Sequence, residues 1–187
     1  MAPEHLPSLF RFEPAFFPRI WGGSLLRDRL GWDTPENQRI GEAWLISDHP
    51  SCTSMVADGP MAGVTLRWLM DRYAESLLGS LAAPTHQGLF PLLLKLIDAG
   101  DVLSVQVHPD DVTAEKLDES DVGKTEMWHV LESQDNASLI CGLRPGVDEA
   151  AFLTALKNGS CADLMVRFPA PEDTSVFVPA GTVHAIG

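Results

Sequence analysis

The chain has 187 residues, 45% hydrophobic and 21% charged. That composition supports a packed core without a disulfide framework and bounds the architecture to about one domain. Acidic residues outnumber basic ones 26 to 13, for a formal net charge of −13. Such a surface repels phosphate backbones and anionic lipid, which argues against nucleic-acid and membrane partners. It leaves room for a small phosphorylated ligand where a few cations are focused locally. The three cysteines, Cys52, Cys141 and Cys161, form no CxxC or Cys/His cluster. That excludes a zinc finger and suits the reducing cytoplasm.

The opening, MAPEHLPSLFRF, has two prolines and an early acid, unlike a signal peptide. From Phe10 to Asp48 short apolar runs alternate with turn residues. Trp21-Gly22-Gly23 and the Thr-Pro-Glu-Asn run at 34–37 read as punctuation. Ala43 to Ile46 reads as a strand ending at Asp48–Pro50. Val64 to Leu78 is the clearest helix: Thr65 can cap it, and Leu66, Leu69, Met70, Tyr73 and Leu77 share one face. Gly79 suits its stop. The longest apolar stretch, Leu89 to Leu96, is broken by Pro91 and Lys95 and is too short to span a bilayer.

Short strands are expected at Pro91–Ile97, Val102–His108, Glu126–Leu131, Ser138–Leu143 and Thr174–Val178. Asp110 and Asp111, after Pro109, suit a helix start, and the acidic run Asp118–Asp121 a solvated loop. A second helix is expected over Asp148–Lys157, with Asp148 as cap and Asn158-Gly159 as stop. Strands at this spacing, separated by turns, predict a sandwich or barrel rather than a βαβ sheet. The class is mainly β with helical segments, one domain over 1–187 with a helical insertion around 64–79.

Three segments carry chemistry. In Val102-Leu-Ser-Val-Gln-Val-His108-Pro-Asp-Asp, alternation puts Ser104, Gln106 and His108 on one face. In Gly123-Lys-Thr-Glu126-Met-Trp-His, Lys124 and Glu126 share a face. In Val176-Phe-Val-Pro-Ala-Gly-Thr-Val-His184, an apolar strand meets a Pro-x-Gly turn and then a histidine. Alone, the first reads better as a wet strand face and the second as a salt-bridged strand end, and the third reads also as a hairpin with an incidental histidine. Together, two imidazoles, a carboxylate and an amide oxygen make a four-ligand set for Zn²⁺.

The spacing Gly100-x₅-Gln106-x-His108, followed by Pro179-x-Gly181-x₂-His184, resembles the paired motifs of the cupin superfamily. With LSVQVHPDD, GKTEMW and VPAGTVHAIG in this order, and PRIWGG at 18–23 and GEAWLISDHP at 41–50, the chain resembles the type I phosphomannose isomerases from about Phe10 to Gly187. The resemblance implies a cupin barrel (double-stranded β-helix, or jelly roll) and one zinc ion per chain held by Gln106, His108, Glu126 and His184. It implies a catalytic Lys124 in the substrate cleft, with Ser104, Lys95, Trp21 and Glu42 as substrate-binding residues. The implied reaction interconverts mannose 6-phosphate and fructose 6-phosphate in the cytoplasm.

Members of that family continue beyond the equivalent of His184 and carry a downstream arginine, which Arg144 and Arg167 do not match. The expectation is a chain that keeps the zinc site with reduced isomerase activity, and an open sheet edge that invites self-association. Two other readings stand beside the isomerase. One is a non-catalytic sugar-phosphate-binding cupin. The other is an iron cupin oxygenase using His108, His184 and Glu126, against which Gln106 and Lys124 weigh. His5, His49, His86 and His129 lack motif partners; Cys141 and Cys161 are expected to pack as small apolar residues, and Trp44 and Trp68 to lie in the core.

Overall fold

The computed structural model describes residues 6–80, 83–85, 87–117, 119 and 121–187. His5, His86 and part of the acidic run at 118–121 therefore lie outside the described residues. The chain divides into two compact units, Met1–Gly100 and Asp101–Gly187. It is mainly β with some helices. No helix among the described residues is long and apolar enough to cross a membrane.

The first unit is built on a three-stranded antiparallel sheet. Strand β1 (Ala15–Gly23) is followed by a short helix α1 (Leu25–Asp28), β2 (Ile40–Ile46), the small hairpin β3 (Asp48–His49) and β4 (Cys52–Thr53), helix α2 (Leu66–Leu78) and β5 (Leu94–Ile97). The sheet order is β1-β2-β5. Facing pairs include Phe17 with Glu42, and Trp44 with Lys95. Trp21-Gly22-Gly23 is thus not a turn, as its glycines suggest, but the end of a nine-residue strand. The glycines serve close approach: a Cβ on Gly22 would lie 2.6 Å from the Gly41 nitrogen.

Helix α2 starts where its cap predicts. The Thr65 hydroxyl accepts a hydrogen bond from the Trp68 amide, and Gly79 ends the helix at φ 69°. Its buried face, Leu66, Leu69 and Met70, packs with Val56 and Met61 into the main core of this unit. Tyr73 leaves helical geometry inside the helix, so the expected apolar face is continuous only through Met70 and is half-buried beyond it.

In the second unit come α3 (Asp111–Lys116), β6 (Glu126–His129), β7 (Ser138–Leu143), α4 (Glu149–Lys157), β8 (Met165–Pro169), β9 (Ser175–Val178) and β10 (His184–Ile186). The strands form a sheet of order β10-β7-β8 and a ribbon of β6 with β9, all antiparallel. Asp110 and Asp148 cap their helices as expected, each side chain accepting from the amide three residues on at 2.8 Å. Ile140, Met165 and Ala185 form the buried centre, with Val105 and Val183 against it.

The segment 102–108 departs from expectation. Instead of a regular strand it makes one isolated bridge, Gln106 with His184. Leu103 donates to the Ile186 carbonyl, whereas the register of the bridge would give that bond to residue 104. The ladder therefore slips by one residue between Leu103 and Gln106, as in a bulge. Strand β8 was not expected either; Arg167 and Pro169 break its apolar pattern.

The core packing of α2 sets the stability of the first unit. Replacing the fully buried Leu69 by alanine is expected to cost about 2–5 kcal/mol in urea unfolding. A near-neutral result would contradict this packing.

Candidate metal centre

His184 is placed by the turn before it. Gly181, at φ 81°, donates its amide to the His108 carbonyl at 2.7 Å, and Thr182 closes the turn on the Pro179 carbonyl. The chain then enters β10, where His184 and Gln106 exchange backbone hydrogen bonds in both directions at 2.8 Å. A directly facing pair has both side chains on one sheet face.

Glu126 and Lys124 are placed by Gly123. A Cβ there would lie 2.2 Å from the Asp111 nitrogen. Only glycine lets 122–124 lie flat against the His108-Pro109-Asp110 segment. The Gly123 amide donates to Asp111 Oδ1, and the Lys124 amide to the Pro109 carbonyl. Glu126 then begins β6 opposite the buried Val178.

These turns bring His108, Glu126 and His184 together, with one donor atom of each within 4.8 Å of the others. Glu126 Oε1 lies 3.0 Å from Lys124 Nζ and 3.8 Å from His108 Nε2; Oε2 lies 3.4 Å from His184 Nε2. His184 is only 4% exposed. Its Nδ1 is 2.8 Å from the Thr182 carbonyl, which can only accept, so Nδ1 carries a proton. In the neutral ring the lone pair is then on Nε2. That buried nitrogen has no hydrogen-bond partner among the described residues. An unpartnered buried nitrogen beside a carboxylate and a second imidazole is the donor set a divalent cation takes. Burial alone would raise the Glu126 pKa, but Lys124, His108 and His184 outweigh it and hold the carboxyl below its usual range.

Gln106 shares the His184 face through their pairing, and its amide nitrogen donates to Ser104 Oγ at 3.3 Å. Lys124 Nζ lies 3.5 Å from His108 Nε2. The second unit thus gathers six of the residues singled out from sequence. The other three belong to the first unit. There Glu42, 8% exposed, meets Lys95 at 3.5 Å and Arg19 at 2.9 Å and accepts from Trp44 Nε1 at 2.9 Å. Trp21 packs over Gly41, where a Cβ would lie 2.6 Å from the indole ring. Burial pushes the Glu42 pKa up, but Lys95, Trp44 and Arg19 together bring it below 4.5.

Sequence reasoning passed over Arg19, Trp128 and Thr182. Arg19 lies within a short apolar run and was given no role, and a backbone carbonyl such as that of Thr182 leaves no signal in side-chain type. Trp44, expected in the core, also ties down Glu42. Cys141, expected only to pack, faces His184 across β7 and β10. His129 bonds Ser175 in an exposed pair outside the centre.

The fold and the cluster define a β-rich protein with a two-histidine, one-carboxylate cluster beside a lysine, in which His184 is buried and His108 and Glu126 are half-buried. A family model for the catalytic domain of type I phosphomannose isomerase matches residues 9–128, and the chain belongs to that family. It is 38% identical over 176 residues to the mannose-6-phosphate isomerase ManA of Bacillus subtilis, covering 94% of this chain and 53% of that protein. The mannose-6-phosphate isomerase of Streptococcus mutans is 38% identical over 169 residues, covering 90% and 51%. The crystal structure of mannose 6-phosphate isomerase from Bacillus subtilis superposes with a TM-score of 0.84 at 35% identity, covering 95% of this chain and 54% of that one. The chain spans about half the length of the relatives it matches.

Two predictions follow from the carboxylates. Glu126→Ala is expected to weaken divalent-metal retention through dialysis strongly, read by elemental analysis; full retention would contradict a ligand role for Glu126. The folded pKa of Glu42 lies below its unfolded value, so its stabilisation is present above about pH 4.5 and lost as pH falls through the folded value. The stability gap between wild type and Glu42→Gln in urea unfolding should therefore narrow on acidification. A constant gap would contradict the ion-pair account.

Proposed function

We propose that this chain carries the zinc-dependent centre of an aldose–ketose isomerase that interconverts mannose 6-phosphate and fructose 6-phosphate. The observation that supports it most is the approach of His108, Glu126 and His184 within 4.8 Å, beside Lys124, in a chain of the type I phosphomannose isomerase family. The names of the relatives supply the substrate.

In this reading His108, Glu126, His184 and the side-chain oxygen of Gln106 hold one Zn²⁺ in a cupin barrel, within a single domain over 1–187. When bound, the ion supplies a Lewis acid that polarises the sugar carbonyl and stabilises negative charge on its oxygen. The reaction moves a proton from C2 to C1 of the open-chain sugar and the hydroxyl proton from O2 to O1, through a cis-enediol(ate), with no net oxidation. Lys124 is the catalytic residue: its ammonium, 3.0 Å from Glu126, supplies positive charge to the enediolate or shuttles its proton. Ser104, Lys95, Trp21 and Glu42 bind the sugar phosphate. Glu42 holds the ammonium of Lys95 in place. We place the enzyme in the cytoplasm, where free thiols such as those of Cys52, Cys141 and Cys161 persist.

The test is a coupled isomerisation assay on mannose 6-phosphate with metal analysis of the same sample. One zinc per chain and turnover are expected, with Lys124→Ala keeping the metal while losing about 10²-fold or more in kcat. Zinc with binding but no turnover would favour a sugar-phosphate-binding cupin. Iron with O₂ consumption would favour an oxygenase, and either result would overturn the isomerase reading.

A further inference from the structure

We infer that Trp128 is a positioning residue of the metal centre, a role that rests on the metal reading of His108, Glu126 and His184. Its indole Nε1–H donates to Glu126 Oε2 at 3.2 Å. Its ring meets the His184 ring edge-on, with centroids 5.3 Å apart and planes at 73°. Trp128 thus touches two of the three clustered donors at once.

The geometry explains why a tryptophan is used. Trp128 lies two residues beyond Glu126 on β6, so both side chains leave the same face of the strand. The two carboxylate oxygens are held from different sides. Oε1 is taken by Lys124 at 3.0 Å, and Oε2 by the Trp128 N–H. A carboxylate pinned at both oxygens cannot rotate freely, so its lone pairs are aimed before a cation arrives. The indole has one donor and no acceptor. It can orient Glu126 without competing for the ion, which a histidine or carboxylate at 128 would do. Its apolar ring also walls His184, whose Nδ1–H is already fixed on the Thr182 carbonyl. Contacts of this kind around metal ligands typically change affinity 10–100-fold when removed.

The first unit repeats the device between two cations. Glu42 and Trp44 have the same two-residue spacing and the same Nε1-to-Oε2 bond, at 2.9 Å. There Arg19 and Lys95 both pair with the carboxylate. Around Glu126 a single lysine is joined by two imidazoles, and one of these has a bare nitrogen.

The test uses Trp128→Phe, which keeps a ring but loses the N–H, and replacement of the indole by its isosteric benzothiophene, which loses only the N–H. Zn²⁺ affinity is read by competition with a chromophoric chelator, and the ligand field by the visible spectrum of the Co²⁺-loaded protein. Both variants are expected to bind Zn²⁺ about 10–100-fold more weakly and to shift the Co²⁺ bands, with thermal unfolding of the metal-free chain near wild type. Wild-type affinity and an unchanged spectrum in both would overturn the inference. So would a loss in Trp128→Phe that the benzothiophene does not share, because the ring's packing would then be the cause. A wild-type chain that binds no Zn²⁺ would overturn the metal reading itself, and this inference with it.

Discussion

One buried nitrogen organises the second unit. His184 Nε2 is out of reach of solvent and lacks a hydrogen-bond partner among the described residues. Leaving such a group unsatisfied costs about 1–3 kcal/mol. The chain nevertheless fixes this tautomer by anchoring Nδ1 on the Thr182 carbonyl, and it ties the His184 N–H and C=O to the Gln106 backbone. The cost is offset if a cation takes the lone pair. Glu126, whose carboxyl burial pushes up but Lys124 above all holds below its usual range, supplies the negative charge that such a cation needs. The turn at 179–182 and the glycine contact at Gly123 both serve this meeting of imidazole and carboxylate.

The two glutamates on strands show what separates a finished ion pair from an open site. Glu42 is nearly buried, but two cations and an indole N–H hold its oxygens. Both oxygens are engaged there, and the two cations exceed its single negative charge. Glu126 is held by one lysine and an indole, and it faces imidazoles that attract it strongly only when protonated or bound to a metal. The same sequence pattern, Glu-x-Trp, therefore sits between two cations in one unit and beside a lysine and two imidazoles in the other. The neighbours on adjacent strands make the difference.

Local chemistry was legible in the sequence; pairing between distant segments was much less so. Thr65, Asp110 and Asp148 announced their helices because a side-chain oxygen before an apolar period has one good use. The site segments stood out only taken together, through their order and their resemblance to the type I phosphomannose isomerases, because each alone reads as an ordinary strand or turn. Trp21-Gly22-Gly23 misled because glycine serves both turns and close strand contacts, and only the facing Gly41 distinguishes them. The segment 102–108 alternates like a strand, yet its partner's register slips beside Gln106. No single-segment pattern encodes that. Arg19 and Trp128 were passed over because their roles depend on which carboxylate the fold brings to them.

The most direct test of this account is anomalous diffraction at the zinc edge from crystals grown with Zn²⁺. The account predicts one peak about 2.0–2.2 Å from His184 Nε2, at ligand distance from His108 and a Glu126 oxygen as well. A zinc-loaded crystal with no peak there, or with the ion bound elsewhere and His184 Nε2 still bare, would contradict it.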